Sequence, residues 1–186
     1  MPPTDHERQA PAPALTVHRP EDERALADWR HVHNAVIPAH PLSAEEVRER
    51  AGRNHLEVAH LDGVLVGCTT VRPPAPAAPG NDDDTGDGAG GTATVIARIL
   101  PEHRGRGLGT LLYDRSLALA RSLGAREIET VVLSSNPDGL RFALRQGFTE
   151  TERYLLPGDT VPWIDLRLTD PPAPRPAPPA DPTPPA

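Results

Sequence analysis

Proline decides where this chain can hold a core. Of its 24 prolines, 17 fall within residues 1–13, 73–91 and 171–186, stretches that also lack almost every large apolar side chain. Such chain loses an amide donor at each proline and buries too little surface to offset the entropy of ordering it. The core must therefore come from residues 14–72 and 92–170, 138 positions in all, enough for one hydrophobic centre. We expect one domain over 14–170 with a flexible loop at 73–91, and disordered ends at 1–13 and 171–186. Asp82, Asp83, Asp84 and Asp87 in that loop supply four of the seven net negative charges. They lack the closing Glu of a calcium loop and read as a solvated connection, so no metal is expected.

Composition removes several chemistries. All 19 positive side chains are Arg and none is Lys, which excludes Schiff-base enzymes, pyridoxal phosphate attachment and a phosphate-loop lysine. The single Cys68 permits neither an internal disulfide nor a thiolate zinc cluster, and within VLVGCTTV it reads as a small hydrophobe. The two core segments together carry a net charge of only −2, so nothing draws the protein to nucleic acid or to an anionic membrane. With no secretory start and no apolar run of spanning length, a soluble cytoplasmic protein is expected.

Periodicity then orders the core. LTVH (15–18) suits a short strand, and Pro20 with Glu21, Asp22 and Glu23 marks a helix start. Leu26, Trp29, Val32, Val36 and Ile37 form its apolar face, ending before Pro38. Ser43 and Glu46 make a capping box for a second helix that Gly52 can end. Strands at 55–61 and 64–71 flank Asp62-Gly63, a type I′ turn pair. A central strand at 92–100, a helix at 108–123, a strand at 127–134, a helix capped by Asn136 and strands at 150–156 and 161–168 complete the chain. The order β-α-α-β-β-β-α-β-α-β-β predicts an α/β fold, a mixed sheet flanked by about four helices.

The segment RILPEHRGRGLGTLL carries the chemistry. A strand runs into Arg104-Gly105-Arg106-Gly107-Leu108-Gly109 and the chain continues as the helix. Glycines clear the backbone for a phosphate, and a helix start offers unpaired N–H groups. A dinucleotide reading finds Gly105, Gly107 and Glu127, but Thr110 stands where its third Gly belongs. Arg104, Gly107 and Gly109, preceded by Pro101-Glu102, match instead the coenzyme A signature of the GNAT N-acetyltransferases, and Asn136 with Gly147-Phe148 repeats a second spacing of that superfamily. The chain resembles it over essentially 15–170. The resemblance implies the GNAT fold, with acetyl-coenzyme A as cosubstrate lying between strands splayed near 96–100 and 128–134. It implies that main-chain groups at Ile99 and Leu100 hold the pantetheine, that N–H groups from Arg104 to Thr110 hold the diphosphate, and that Asn136 borders the cofactor. It further implies a small-molecule or peptide amine as acceptor, and is compatible with a homodimer.

The catalytic groups of the superfamily are less evident. Its usual tyrosine acid falls at Ala143, and strand 92–100 holds no carboxylate. Candidates for the base are His33, near the apolar stripe of the first helix, and Glu129 on the fifth strand. Ser134, Ser135 and Tyr154 could each donate a proton to sulfur. Arg98, on the strand expected beside the thioester, could bind an acidic acceptor or reach a strand-end carboxylate. The leading expectation is direct attack by an amine in a ternary complex, and the alternative is a non-catalytic acyl-coenzyme A binding module.

Overall fold

The computed structural model describes residues 14–75 and 91–169, so the expectations for 1–13, for most of the loop at 73–91 and for 171–186 lie outside the described residues. The elements follow the predicted order: β1 (Leu15–His18), α1 (Glu23–Val36), α2 (Ala44–Arg53), β2 (His55–Leu61), β3 (Val64–Arg72), β4 (Thr92–Ile99), α3 (Leu108–Ser122), β5 (Glu127–Leu133), α4 (Pro137–Arg145), β6 (Phe148–Tyr154) and β7 (Trp163–Leu168). Gly52 does not end α2, which runs on to Arg53 with Asn54 as its cap. Strand β6 begins at Phe148 rather than 150, because Gly147 at φ 92° turns the chain straight from α4 into the sheet.

Local chemistry accounts for the joints. Asp22 caps α1 by accepting from the Ala25 N–H, and Ser43 and Glu46 form the reciprocal box on α2. Asp62 at φ 50° and Gly63 at φ 80° make the left-handed pair that a two-residue hairpin requires.

The sheet runs β1-β2-β3-β4-β5-β7-β6. Only the β4–β5 pair is parallel; the other neighbours are antiparallel. Helices α1 and α2 cover one face, where Trp29, Val32 and Val47 pack on Leu56, Val58 and Cys68. Each such side chain withdrawn from water contributes about 1.5–3 kcal/mol. The indole N–H of buried Trp29 donates to the Thr69 carbonyl at 2.9 Å, so its one polar atom is satisfied. Helices α3 and α4 cover the other face, with Tyr113, Ala120 and Ala143 against Val95, Ile128, Val132 and Ile164. A buried carboxylate, Glu57, ties β2 to α3: Arg115 donates to it at 2.9–3.1 Å, and the Thr69 hydroxyl donates at 3.3 Å.

Candidate active site

The site begins where two strands part. Strands β4 and β5 pair only over Thr92–Thr94 and Glu127–Glu129. Past that point Val95–Ile99 and Thr130–Leu133 line a cavity of about 560 Å³, closed by the start of α3, by α4, and by Val36 and Ile37 of the α1 end. A strand without a neighbour keeps donors and acceptors that need a partner. The Leu100 N–H is spent on the Val66 carbonyl at 2.9 Å, so strand alternation turns the main chain of Ala97 and Ile99 toward the gap. Of the expected pair, Ile99 faces the opening and Leu100 faces β3.

The glycine loop closes one end. Pro101–His103 forms a single 3₁₀ turn, and the Arg104 N–H closes on the Pro101 carbonyl at 3.3 Å. Gly105 at φ 72° and Gly107 at φ 77° are left-handed, a conformation that costs a residue with a Cβ about 1–2 kcal/mol. Gly107 is the N-cap of α3 and offers no side chain to its donors. Among the described residues, none of the N–H groups from Gly105 to Gly109 donates to an acceptor, whereas Thr110 N–H bonds the Gly107 carbonyl at 3.1 Å. The N–H groups without an acceptor are therefore those of Gly105, Arg106, Gly107, Leu108 and Gly109, while those of Arg104 and Thr110, also expected at the diphosphate, are engaged within the chain. A Cβ on Gly109 would meet Phe142 Cε2 at 3.5 Å, an ordinary contact, so packing alone does not demand glycine there.

Arg104 acts as a strut across the gap. Its Nε donates to the Ile99 carbonyl at 3.2 Å and its Nη1 to Asp138 Oδ2 at 3.1 Å. Arg141 binds the same carboxylate, and Arg141 first, then Arg104, holds the Asp138 carboxyl below its usual range. Asn136 lines the cavity, and its side-chain oxygen accepts the Gly139 N–H at 3.1 Å as the cap of α4. Arg106 is exposed beside the loop, with Nη1 3.4 Å from His103 Nδ1.

The candidate bases lie outside the cavity lining. His33 is 5% exposed and stacks on Trp29 at 5.4 Å. Its Nε2 lies 3.2 Å from the His40 carbonyl, which assigns the ring proton to Nε2 and leaves buried Nδ1 without a partner. Burial, and then the charge of Arg98, lower its pKa to about 4. Glu129 accepts from Arg167 at 2.9 and 3.2 Å. Ser134, Ser135 and Tyr154 also lie outside the lining, and the Tyr154 hydroxyl donates to Asp165 at 3.2 Å.

Two side chains of the cavity wall stand out. Tyr113 of α3, which the sequence reading passed over, is 5% exposed, and its hydroxyl is buried without a partner among the described residues. Its ring meets the edges of Phe142 and Phe148, in the apolar cluster that also holds Ala143. Burial pushes its pKa up to about 12, keeping the hydroxyl neutral. The signal was available: a tyrosine in a leucine-rich helix stripe must find a partner for its hydroxyl once buried. Arg98 is 8% exposed, and its Nη1 is likewise buried without a partner. No carboxylate among the described residues pairs with it, so the strand-end carboxylate reading does not hold for them.

A parted parallel strand pair opening on a glycine-capped helix is the arrangement that the coenzyme A signature implied, and the sequence profile of the acetyltransferase (GNAT) family matches residues 14–148. The chain belongs to the GNAT family. Among curated proteins none matches it. Among solved structures it is similar to Arabidopsis thaliana NAA60 in complex with a bisubstrate analogue, at 18% identity and TM-score 0.64 over 83% of this chain and 98% of that one. It is similar to yncA from Salmonella typhimurium, solved with its cofactor acetyl-CoA, at 19% identity and TM-score 0.60 over 87% and 98%. A third is the ribosomal-protein-S18-alanine N-acetyltransferase from Escherichia coli, at 16% identity and TM-score 0.61 over 83% and 93%. At these identities the likeness shows the fold. Among the described residues no helix is long and apolar enough to cross a membrane, and no group of three or more His, Cys, Asp or Glu is placed to hold a metal.

Proposed function

We propose that this GNAT protein is an acetyl-CoA-dependent N-acetyltransferase in which an amine attacks the thioester directly. The observation that carries the reading is the β4–β5 gap opening on five N–H groups without acceptors at the start of α3. Those donors and Arg106 would hold the diphosphate, since they supply hydrogen bonds and positive potential, while the Asp138 carboxylate is taken up by Arg104 and Arg141. The gap-facing main chain of Ile99 would hold the pantetheine amides, with Asn136 at the border. Acetyl-CoA, when bound, supplies the acetyl group as a thioester; transfer forms a C–N bond as the C–S bond breaks.

The residues of this chain contribute position and donors. With Ala143 at the position of the usual tyrosine and the Tyr113 hydroxyl buried away from the cavity surface, coenzyme A would depart as its thiolate. His33 stays neutral at pH 7 but is a weak acceptor there, and Glu129 is engaged by Arg167. The amine would therefore react in its neutral form and lose its proton to water. General acid–base assistance typically contributes about 10²- to 10⁴-fold, and positioning can contribute more. Ala143 and the acid-free β4 favour the second reading, an acyl-CoA binding module that does not turn over.

A thermal-shift series with acetyl-CoA and NAD, followed by an amine panel with mass detection, tests this reading. Acetyl-CoA at 100 times its Kd should stabilise the fold by about 2.7 kcal/mol, NAD should not, and Gly107→Val should abolish the shift in folded protein. His33→Gln should retain turnover. Stabilisation by NAD alone would remove the reading, and acetyl-CoA binding without transfer to any amine would select the binding module.

A further inference from the structure

Arg98 is the one buried arginine of the cavity wall; Arg104, Arg141 and Arg145 are more exposed. Its nearest chemical neighbour is Cys68, opposite it in the β3–β4 register. Burial pushes that thiol up to about 11, so it carries no countercharge. The other charges acting on Arg98 are Arg72 and Arg50, both of its own sign, and His33 nearby is neutral. A guanidinium withdrawn from water without an anion costs several kcal/mol, and a fold has no reason of its own to carry it on a cavity wall.

The missing anion is not the diphosphate of the cofactor. Strand alternation puts Arg98 with Leu100 on the face covered by α1 and α2, while Ala97 and Ile99 pack with Leu108 and Leu112 of α3. The free N–H groups open at the α3 start, on the other side of β4. Resting on the N-acetyltransferase reading, we infer that Arg98 is the receptor for a carboxylate borne by the acceptor, and that the substrates are free amino acids. Its planar fork matches a carboxylate with two parallel N–H···O bonds, and in a water-poor wall that pairing is strong. An amine and a carboxylate on one small molecule would let Arg98 hold the substrate while the amine meets the acetyl group. A large acceptor has no comparable way to bring an acid to a residue only 8% exposed.

The test compares α-amino acids, their carboxamides and the corresponding decarboxylated amines as acceptors, in wild type and Arg98→Met. Wild type should prefer the carboxylate in kcat/KM by about 100-fold or more, the range for losing one partner of a buried charge pair. Arg98→Met should erase that preference, keep acetyl-CoA binding and melt no lower than wild type, since it removes an unpaired buried charge. Thermal shifts by the same amino acids in the presence of CoA, which cannot react, read the site without turnover. Stabilisation of wild type but not of Arg98→Met upholds the receptor even if no transfer occurs and the enzyme reading fails. Equal use of acids and amides, or no response of wild type to any amino acid in either assay, overturns it. A folded Arg98→Met that melts well below wild type and loses all acceptors alike would make Arg98 a structural residue and overturn it too.

Discussion

Glu57 and Arg98 are buried to nearly the same degree, 5% and 8% exposed, yet the fold treats them differently. Glu57 receives a two-pronged Arg115 and a threonine hydroxyl, whereas Arg98 receives only a neutral thiol and the repulsion of two arginines. Glu57 lies under α3, where two elements must be joined; Arg98 lies where two strands separate. A charge that serves the fold arrives with its partner, and a charge that serves a ligand waits for one.

The comparison breaks first at Arg115. Arg115→Met strands the Glu57 carboxylate and should cost about 3 kcal/mol, the lower end for a broken buried pair because Arg115 itself is half exposed. Urea unfolding measures it, and wild-type stability in that variant would mean that Glu57 is not held by its partner.

His33, within the field of Arg98, sharpens the other side through pH. Burial first and Arg98 second set its folded pKa near 4, below an unfolded value of about 6.5. The unfolded chain then binds the extra proton between those values. The contribution is intact above about pH 6.5 and is lost as pH falls toward 4, by up to about 1.4 kcal/mol per pH unit. Unfolding free energies at pH 6.5 and 5 should differ by up to about 2 kcal/mol more in wild type than in His33→Gln. A carboxylate on Arg98 should shrink that difference, since it neutralises the charge that disfavours protonation.

The smallest effect is expected from replacing both members of the paired site. Glu57→Leu with Arg115→Leu should cost only about 1 kcal/mol, because removing the buried pair together strands no charge and leaves only the Thr69 hydroxyl without its partner. A loss as large as that of Arg115→Met alone would show that the pair contributes something that apolar packing does not restore.

Much of this molecule is legible along the chain. The hairpin at Asp62-Gly63, the box at Ser43 and Glu46 and the Asn136 cap are each fixed by neighbours within four residues, and the structure has them as read. Of the glycine loop, the motif marked the turn into α3, but which N–H groups remain free depended on the turn at Pro101, which takes up the Arg104 donor. His33 was placed on the correct helix face; that its ring would lie beneath Trp29 and outside the cavity was a matter of packing between α1 and the sheet.

By itself the sequence determined the order of elements, the turns, the glycine loop before α3 and the family, because short-range sterics, capping and periodicity act between residues close in the chain. Only the tertiary structure decided that β4–β5 pairing stops at Thr94, that the Tyr113 hydroxyl is buried without a partner among the described residues, and that Glu57 is paired while Arg98 is not. Being without a partner is a property of everything that surrounds a group, and residues that surround Arg98 come from α2 and β3, positions as far from it in the chain as Arg50, Cys68 and Arg72. Local pattern can nominate a charge, but the long-range packing that removes water decides whether it is satisfied or waiting.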